Sequence, residues 1–476
     1  MDHHRHIGAS GASGASRSGF AGLALFAAAA LLAAGAALIP SALWAWLTLP
    51  LFALALVALA RAAPTATILL APLLVLRATE LASLAGIESG AVMAETFTIG
   101  RPTGAATHLL LLTLLTFAAS AALIETMIAD IRQRVTLALP RWSDSGPRLA
   151  LTLTATLAAA SVTLAILGLR HGVPLFHHID RFTYLNRLAG TPFASLIHNG
   201  ALLGPFIGVL LATPARRRTG ALLLAWLLLL SILFGEKFTS LLLILGGAAI
   251  VSALAAGPRA WRPAALAGAA LTAVSLPAIL LTYGAQADPD RALARLADRA
   301  AEQGQLFYLA DRAPPPPRLD TAALAADVAS WPNPAAQHAA TAGPRFGLYY
   351  VMIRFTSSHR LELAMRSGGG FVFPLYPYFL LAGGPLLLFL GALAVALFHA
   401  WAFALLAKAL LEARWLAALA FARIVASLYA CLTTGYLWNA FGVKTIATLA
   451  IGLLLLRLPG KITVNSIPFN GPRQIA

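Results

Sequence analysis

The sequence predicts an all-α protein that crosses a membrane many times. Hydrophobic residues make up 59% of the 476 and charged residues only 11%, against about 45–50% and about 25% in soluble domains. The apolar residues also come in blocks close to the ~20 that a helix of 1.5 Å rise needs to cross a hydrocarbon layer. Lipid offers the backbone no hydrogen-bond partner, so each block is expected to be helical.

Taken in order, the blocks cover residues 20–39, 42–60, 65–85, 105–128, 150–168, 193–212, 221–234, 239–256, 264–283, 375–398, 415–434 and 437–456, about twelve spans. The first is longer than the apolar core of a signal peptide, so it reads as an uncleaved helix rather than one cleaved near Ser41 and Ala42. The stretch 401–414, with Lys408 and Glu412, reads as an interfacial helix or as a partner of the block before it.

Five regions follow. Residues 1–19, with His3, His4, Arg5, His6 and repeated Gly-Ala-Ser, form a flexible tail. Residues 20–283 form an N-terminal bundle of about nine helices. Residues 284–374 are a large loop, 375–457 the last spans, and 458–476 a second tail. No internal repeat is evident, which counts against a duplicated transporter fold.

A net charge of +16 raises the question of nucleic acid, but the arginines cluster between apolar blocks. Arg132, Arg134, Arg141 and Arg148 lie in one such segment, Arg216 to Arg218 in a second, Arg259 and Arg262 in a third. That is the pattern of cytosolic loops, and it places both termini in the cytosol and residues 284–374 on the opposite side. The single cysteine, Cys431, lies in an apolar block and reads as a packing residue, so no intrachain disulfide is available.

Polar residues inside so apolar a chain mark candidate sites. Arg77 and Glu80 stand three apart within the third block; they form either a structural ion pair or one wall of an anion-holding cavity. Residues 170–198 gather Arg170, His171, His177, His178, Asp180, Arg181, Tyr184 and Arg187 at the non-cytosolic surface. A belt touching lipid headgroups and a grip on a phosphate-bearing ligand both fit them. No metal-site spacing is present, so no metal is expected. Glu236 and Lys237 break two short apolar blocks and form either a wetted hairpin tip or part of the cavity beside Arg77.

The large loop opens with Arg291, Arg295 and Arg299 at helical spacing, followed by Leu306, Phe307 and Tyr308 and stopped by the prolines 314–317. Residues 319–344 are rich in Ala, Pro and Asp and are expected to lack a core; order is expected to resume at Arg345. Then come Tyr349, Tyr350, Arg354, His359, Arg360, Glu362 and Arg366, three glycines (368–370), Phe373 and Pro374. On a helix His359 and Glu362 share a face, a plausible general-base pair at neutral pH.

The long late loop, the segment Glu302 to Phe307 after a basic helix, His359 with Glu362, and Phe373-Pro374 before the next span together resemble bacterial O-antigen polymerases of the Wzy type, relatives of the O-antigen ligases. The likeness in motifs is confined to residues 291–385. It implies a GT-C-like fold in the inner membrane, polymerising undecaprenyl-pyrophosphate-linked oligosaccharide repeat units into lipopolysaccharide O-antigen or a related surface polysaccharide. No cofactor, metal or nucleic acid is expected, and a chain-length regulator is a further expected partner beside the lipid bilayer. Carried over, Arg77, Arg181, Arg295, Arg354 and Arg366, with Glu236 and Lys237, would bind the lipid-linked substrate; the arginines would stabilise the pyrophosphate leaving group. His359 or Glu362 would activate the acceptor hydroxyl. An O-antigen ligase or a flippase for a lipid-linked glycan are the alternatives.

Overall fold

The structure, a computed structural model, describes residues 11–93, 96–132, 135–177, 184, 199–236, 238–256, 269, 273, 276–277, 279–280, 288–314, 316, 318–329, 347–367 and 372–458. Among them, seven helices are long and apolar enough to cross a membrane, with shorter apolar helices at Leu23–Leu38, Gly200–Ala212 and Thr239–Val251. The chain is therefore an all-α, polytopic membrane protein. The expected span at 264–283 and both distal tails, 1–10 and 459–476, lie mostly or wholly outside the described residues.

The bundle begins with α1 (Gly11–Leu38), α2 (Ala42–Ala62) and α3 (Pro64–Glu88). The first helix starts inside the expected tail, because alanine-containing chain continues a helix at little cost once the apolar block has nucleated it. Ser41 caps α2 by accepting from the Leu43 N–H (3.2 Å), and Pro64 opens α3 where no N–H is needed. A small hairpin unforeseen in the sequence, β1 (Val92–Met93) paired with β2 (Thr98–Ile99), joins α3 to α4 (Ala105–Arg132). Glu88 then caps α4 from outside, accepting from the Ala106 N–H (3.1 Å) and the Thr103 hydroxyl (3.2 Å).

Helix α5 (Val135–His171) runs straight through much of the arginine-bearing segment that reads as a loop in the sequence. Tertiary contact explains this: Trp142 is fully buried and donates its indole N–H to the Leu410 carbonyl (2.9 Å). Next come α6 (Gly204–Ala212), α7 (Arg217–Leu233) and α8 (Phe238–Ala256). Helices α6 and α8 approach until a Cβ at Gly204 would stand 2.5 Å from the Ile244 carbonyl oxygen, and one at Gly208 2.4 Å from that of Ala248. Small residues permit this close backbone packing between membrane helices.

The large loop is more ordered than its composition implies. Helix α9 (Pro289–Arg312) is capped by Asp288, which accepts from the Arg291 N–H (2.9 Å). It ends just before the proline run, as expected. Its arginine stripe is exposed, while Glu302, Gly304, Gln305, Leu306 and Phe307 are buried against the bundle. Helix α10 (Thr321–Ala329) falls within the stretch expected to lack a core, and it buries Ala323 and Asp327. Residues 330–346, Arg345 included, lie outside the described residues. Helices α11 (Gly347–Phe355) and α12 (Ser358–Ser367) follow.

The last part holds α13 (Leu375–Leu411), α14 (Trp415–Thr434) and α15 (Val443–Arg457). Helix α13 is a helical hairpin rather than a rod. Gly384 has φ 70° and ψ −166°, backbone that only glycine adopts readily, and Pro385 follows. In a straight helix Phe379 and Gly391 would be about 18 Å apart. Here the Phe379 ring lies 2.6 Å from where a Cβ on Gly391 would stand. Residues 375–383 thus fold back along 385–411 as a half-helix. The break sits at 384 and not near 400. The expected interfacial helix at 401–414 is instead the continuation of the long arm, with Ala402, Ala407, Ala409 and Leu410 all at 0–1% exposure.

Candidate functional site

One arginine stacks on a ring of the half-helix 375–383, and a second stacks on a tyrosine that packs against the other side of it. Arg77, midway along α3, is buried and ion-paired with Glu80, and its guanidinium lies 4.2 Å from the Tyr376 ring centre and 5.9 Å from that of Phe373. Such stacking is strongest when water is excluded. Two residues further along the half-helix, hence on its other side, Tyr378 meets Tyr350 edge to face at 5.0 Å. Tyr350 is covered in turn by Arg354, whose guanidinium lies 4.0 Å above the ring and donates to the Tyr350 hydroxyl (2.9 Å). That hydroxyl donates to Asp320 (3.1 Å), the residue whose other oxygen caps α10 through the Ala323 N–H (2.9 Å). Burial pushes the Tyr350 phenol upward, and the neighbouring Arg354 opposes this.

The loop helices are fixed to the bundle by buried polar contacts. Ser83 donates to the Ala301 carbonyl (2.5 Å) and accepts from the Gly304 N–H (2.9 Å). A Cβ at Gly304 would come within 2.9 Å of the Glu80 carbonyl oxygen, so α9 lies directly on the turn of α3 that carries the ion pair. The Tyr308 hydroxyl accepts from the Arg101 N–H (2.7 Å) and donates to the Arg101 carbonyl (3.0 Å).

On the other side Asp327, fully buried, accepts from the Leu437 N–H (3.2 Å) and ties α10 to the turn between α14 and α15. Burial raises its carboxyl from an ordinary 3.8 to about 7, against the pull of its hydrogen-bond donors. Below about pH 4 the acid is protonated whether the chain is folded or not. Between there and pH 7 the unfolded chain ionises more readily, so stability falls as pH rises through that window. Asp327→Asn is expected to flatten this slope, measured as melting temperature against pH in detergent. An unchanged slope would remove Asp327 as its source.

Of the other expected site residues, those described lie on α9, on α12 and just before α8. His359 and Glu362 both lie on α12, the condition for their shared face, and both are exposed. Arg366 lies on the same helix, and Arg360 covers Phe97 of the hairpin (4.9 Å). Arg295 is exposed on α9. Glu236 is buried, not wetted, and accepts from the Ser240 hydroxyl (2.5 Å). Arg181, Lys237, His178, Asp180, Arg187 and the glycines 368–370 lie outside the described residues.

The hollow that Arg77 lines is about 30 Å³ and is walled by Thr116, Phe117, Ser120, Tyr376 and His399, with four aliphatic side chains. It has room for about two waters, not a diphosphate, and none of Arg354, His359, Glu362 or Glu236 reaches it. Among the described residues, Arg77 and Arg354 do not line one hollow: Arg77 stacks on Tyr376 of the half-helix, and Arg354 stacks on Tyr350, which meets Tyr378.

Sequence reasoning passed over His399, Asp320 and Asp327. A lone histidine in a long apolar block carries the same signal as Arg77 and was legible by it; the two aspartates sit in a loop where acids are common.

Residues 341–449 match the profile of a family of unknown function, DUF6418. The matched stretch runs from just before α11 into α15 and so contains the helical hairpin and its contacts. No curated protein and no solved structure matches the chain.

Proposed function

We propose that the protein polymerises oligosaccharide repeat units carried on a polyprenyl diphosphate, at the non-cytosolic face of a bacterial inner membrane. On this reading the chain crosses the membrane about twelve times in a GT-C-like arrangement with both termini cytoplasmic. The observation that carries it is the half-helix 375–383, with Arg77 stacked on its Tyr376 and, on the other side, the exposed Arg354 stacked on Tyr350, which in turn meets Tyr378; His359 and Glu362 are exposed on the next helix, α12. Arg354 and Arg366 would meet the diphosphate, with Arg181 and Arg295 as further cations. The exposed His359 or Glu362 would take the proton of the acceptor hydroxyl. Arg77, buried and paired, holds the half-helix in place.

A second reading, a transporter or flippase for the same lipid-linked class, is favoured by the doubled-back helix and by ionisable groups midway along α3 and α13. Reconstituting the protein with a lipid-diphosphate repeat unit separates the two. Polymerisation yields oligomers with new glycosidic bonds, and His359→Ala and Arg354→Ala are expected to abolish them while the protein still inserts. Movement of an unaltered repeat unit across the bilayer supports the transporter. Normal oligomer ladders from both variants would remove the catalytic assignment.

A further inference from the structure

His399 is a buried titratable group that the site described above does not use. It lies on the long arm of α13, twelve residues from that arm's end at Leu411, and is 2% exposed. Its ring stacks flat on Phe403 (4.9 Å, 5° between planes), so its orientation is set. Both ring nitrogens are buried without a hydrogen-bond partner among the described residues. In either neutral tautomer one nitrogen donates and the other accepts, and a buried group of that kind is costly to leave unpaired.

The imidazole lines the hollow described above. Across that hollow stand Arg77 and Tyr376, while Thr116 and Ser120 turn their hydroxyls toward the Leu112 and Ala396 carbonyls (2.9 and 3.2 Å) and keep lone pairs to accept with. Glu80, whose Oε1 also lacks a partner among the described residues, borders the site through Arg77. A cavity holds water when it is large enough and offers polar partners; a purely apolar one stays dry. This one satisfies both conditions.

We propose that the hollow between α3, α4 and α13 is an internal water site anchored by His399. Water there satisfies the imidazole and links three elements: the long arm of α13 through His399, the half-helix through Tyr376, and α3 through Arg77. It adds a polar link between the half-helix and α3. The proposal is independent of whether the protein polymerises or transports a glycan.

Radiolytic hydroxyl-radical labelling of the intact protein in lipid nanodiscs tests it, since bound water generates the radical beside its own neighbours. Tyr376 and Phe117 are expected to label above Phe26 and Phe389, aromatic rings exposed on the apolar surface of the bundle. His399→Phe keeps the stacking on Phe403 but removes both polar atoms, and labelling should drop to the level of those two phenylalanines. His399→Gln restores a donor and an acceptor and should restore the labelling, which also guards against a folding defect in the first variant. Background labelling in the wild-type protein, or equal labelling in wild type and His399→Phe, would overturn the proposal.

Discussion

Arg77→Met alone is expected to destabilise the protein by about 3–5 kcal/mol, because it strands the Glu80 carboxylate in a buried, low-dielectric setting. The double variant Arg77→Met, Glu80→Leu should recover most of that loss, since two apolar side chains of similar volume need no charge compensation. Denaturant unfolding of the two variants in the same detergent makes the comparison. The double variant also tests what the guanidinium is for. If it folds and still supports normal polymer, Arg77 only holds the stacked rings of Phe373 and Tyr376 in register. If it folds and supports none, the cation itself takes part. A double variant as unstable as the single one would show that the pair contributes through the aromatic stack and not through charge.

The second large effect concerns the hairpin at Gly384. Its φ and ψ fall where a side chain costs about 1–3 kcal/mol, and a β-branched one crowds such backbone most, so Gly384→Val should either lower stability by at least that much or straighten the helix. A cross-link decides which. With Phe379→Cys and Gly391→Cys introduced together, the folded-back arrangement brings the sulfurs within disulfide range, whereas a straight helix leaves them about 18 Å apart. The native Cys431 is buried, which keeps the background low. Rapid oxidation in the otherwise wild-type chain, and its loss on adding Gly384→Val, is the expected pattern. Failure to cross-link without that substitution would contradict the hairpin.

Much of the architecture could be read in the chain because spans are declared by long apolar blocks, and α2, α3, α4 and α14 fall close to where those blocks lie. What stayed hidden depends on contacts between distant residues. Residues 375–398 read as one span because Gly384-Pro385 within an apolar run gives no signal of a reversal as sharp as the one Gly391 and Phe379 accommodate. The segment before residue 150 reads as a loop because its charges outweigh, in any local window, the one buried bond from Trp142 to Leu410. At the site, the ion pair of Arg77 with Glu80 is one of two readings of their spacing, and the helix that His359 and Glu362 share is a condition of theirs. That Arg354 would lie on Tyr350, and Tyr350 against Tyr378, depends on how α11 meets the half-helix, which no periodicity encodes.

The junction of α11 with the turn after α14 restricts how such sequences change over time. The backbones of Gly347 and Gly435 touch beside Pro374: a methyl group on Gly347 would fall 2.5 Å from the Tyr436 ring and 3.0 Å from the Gly435 carbonyl, and one on Gly435 would fall 2.9 Å from Pro374. Both glycines also hold positive φ. All three residues belong to the stretch shared with the family of unknown function. Descendants of a common ancestor that keep this junction should therefore be frozen at the three positions or should alter them jointly, a signature that a sufficiently deep collection of natural variants would reveal as correlated drift.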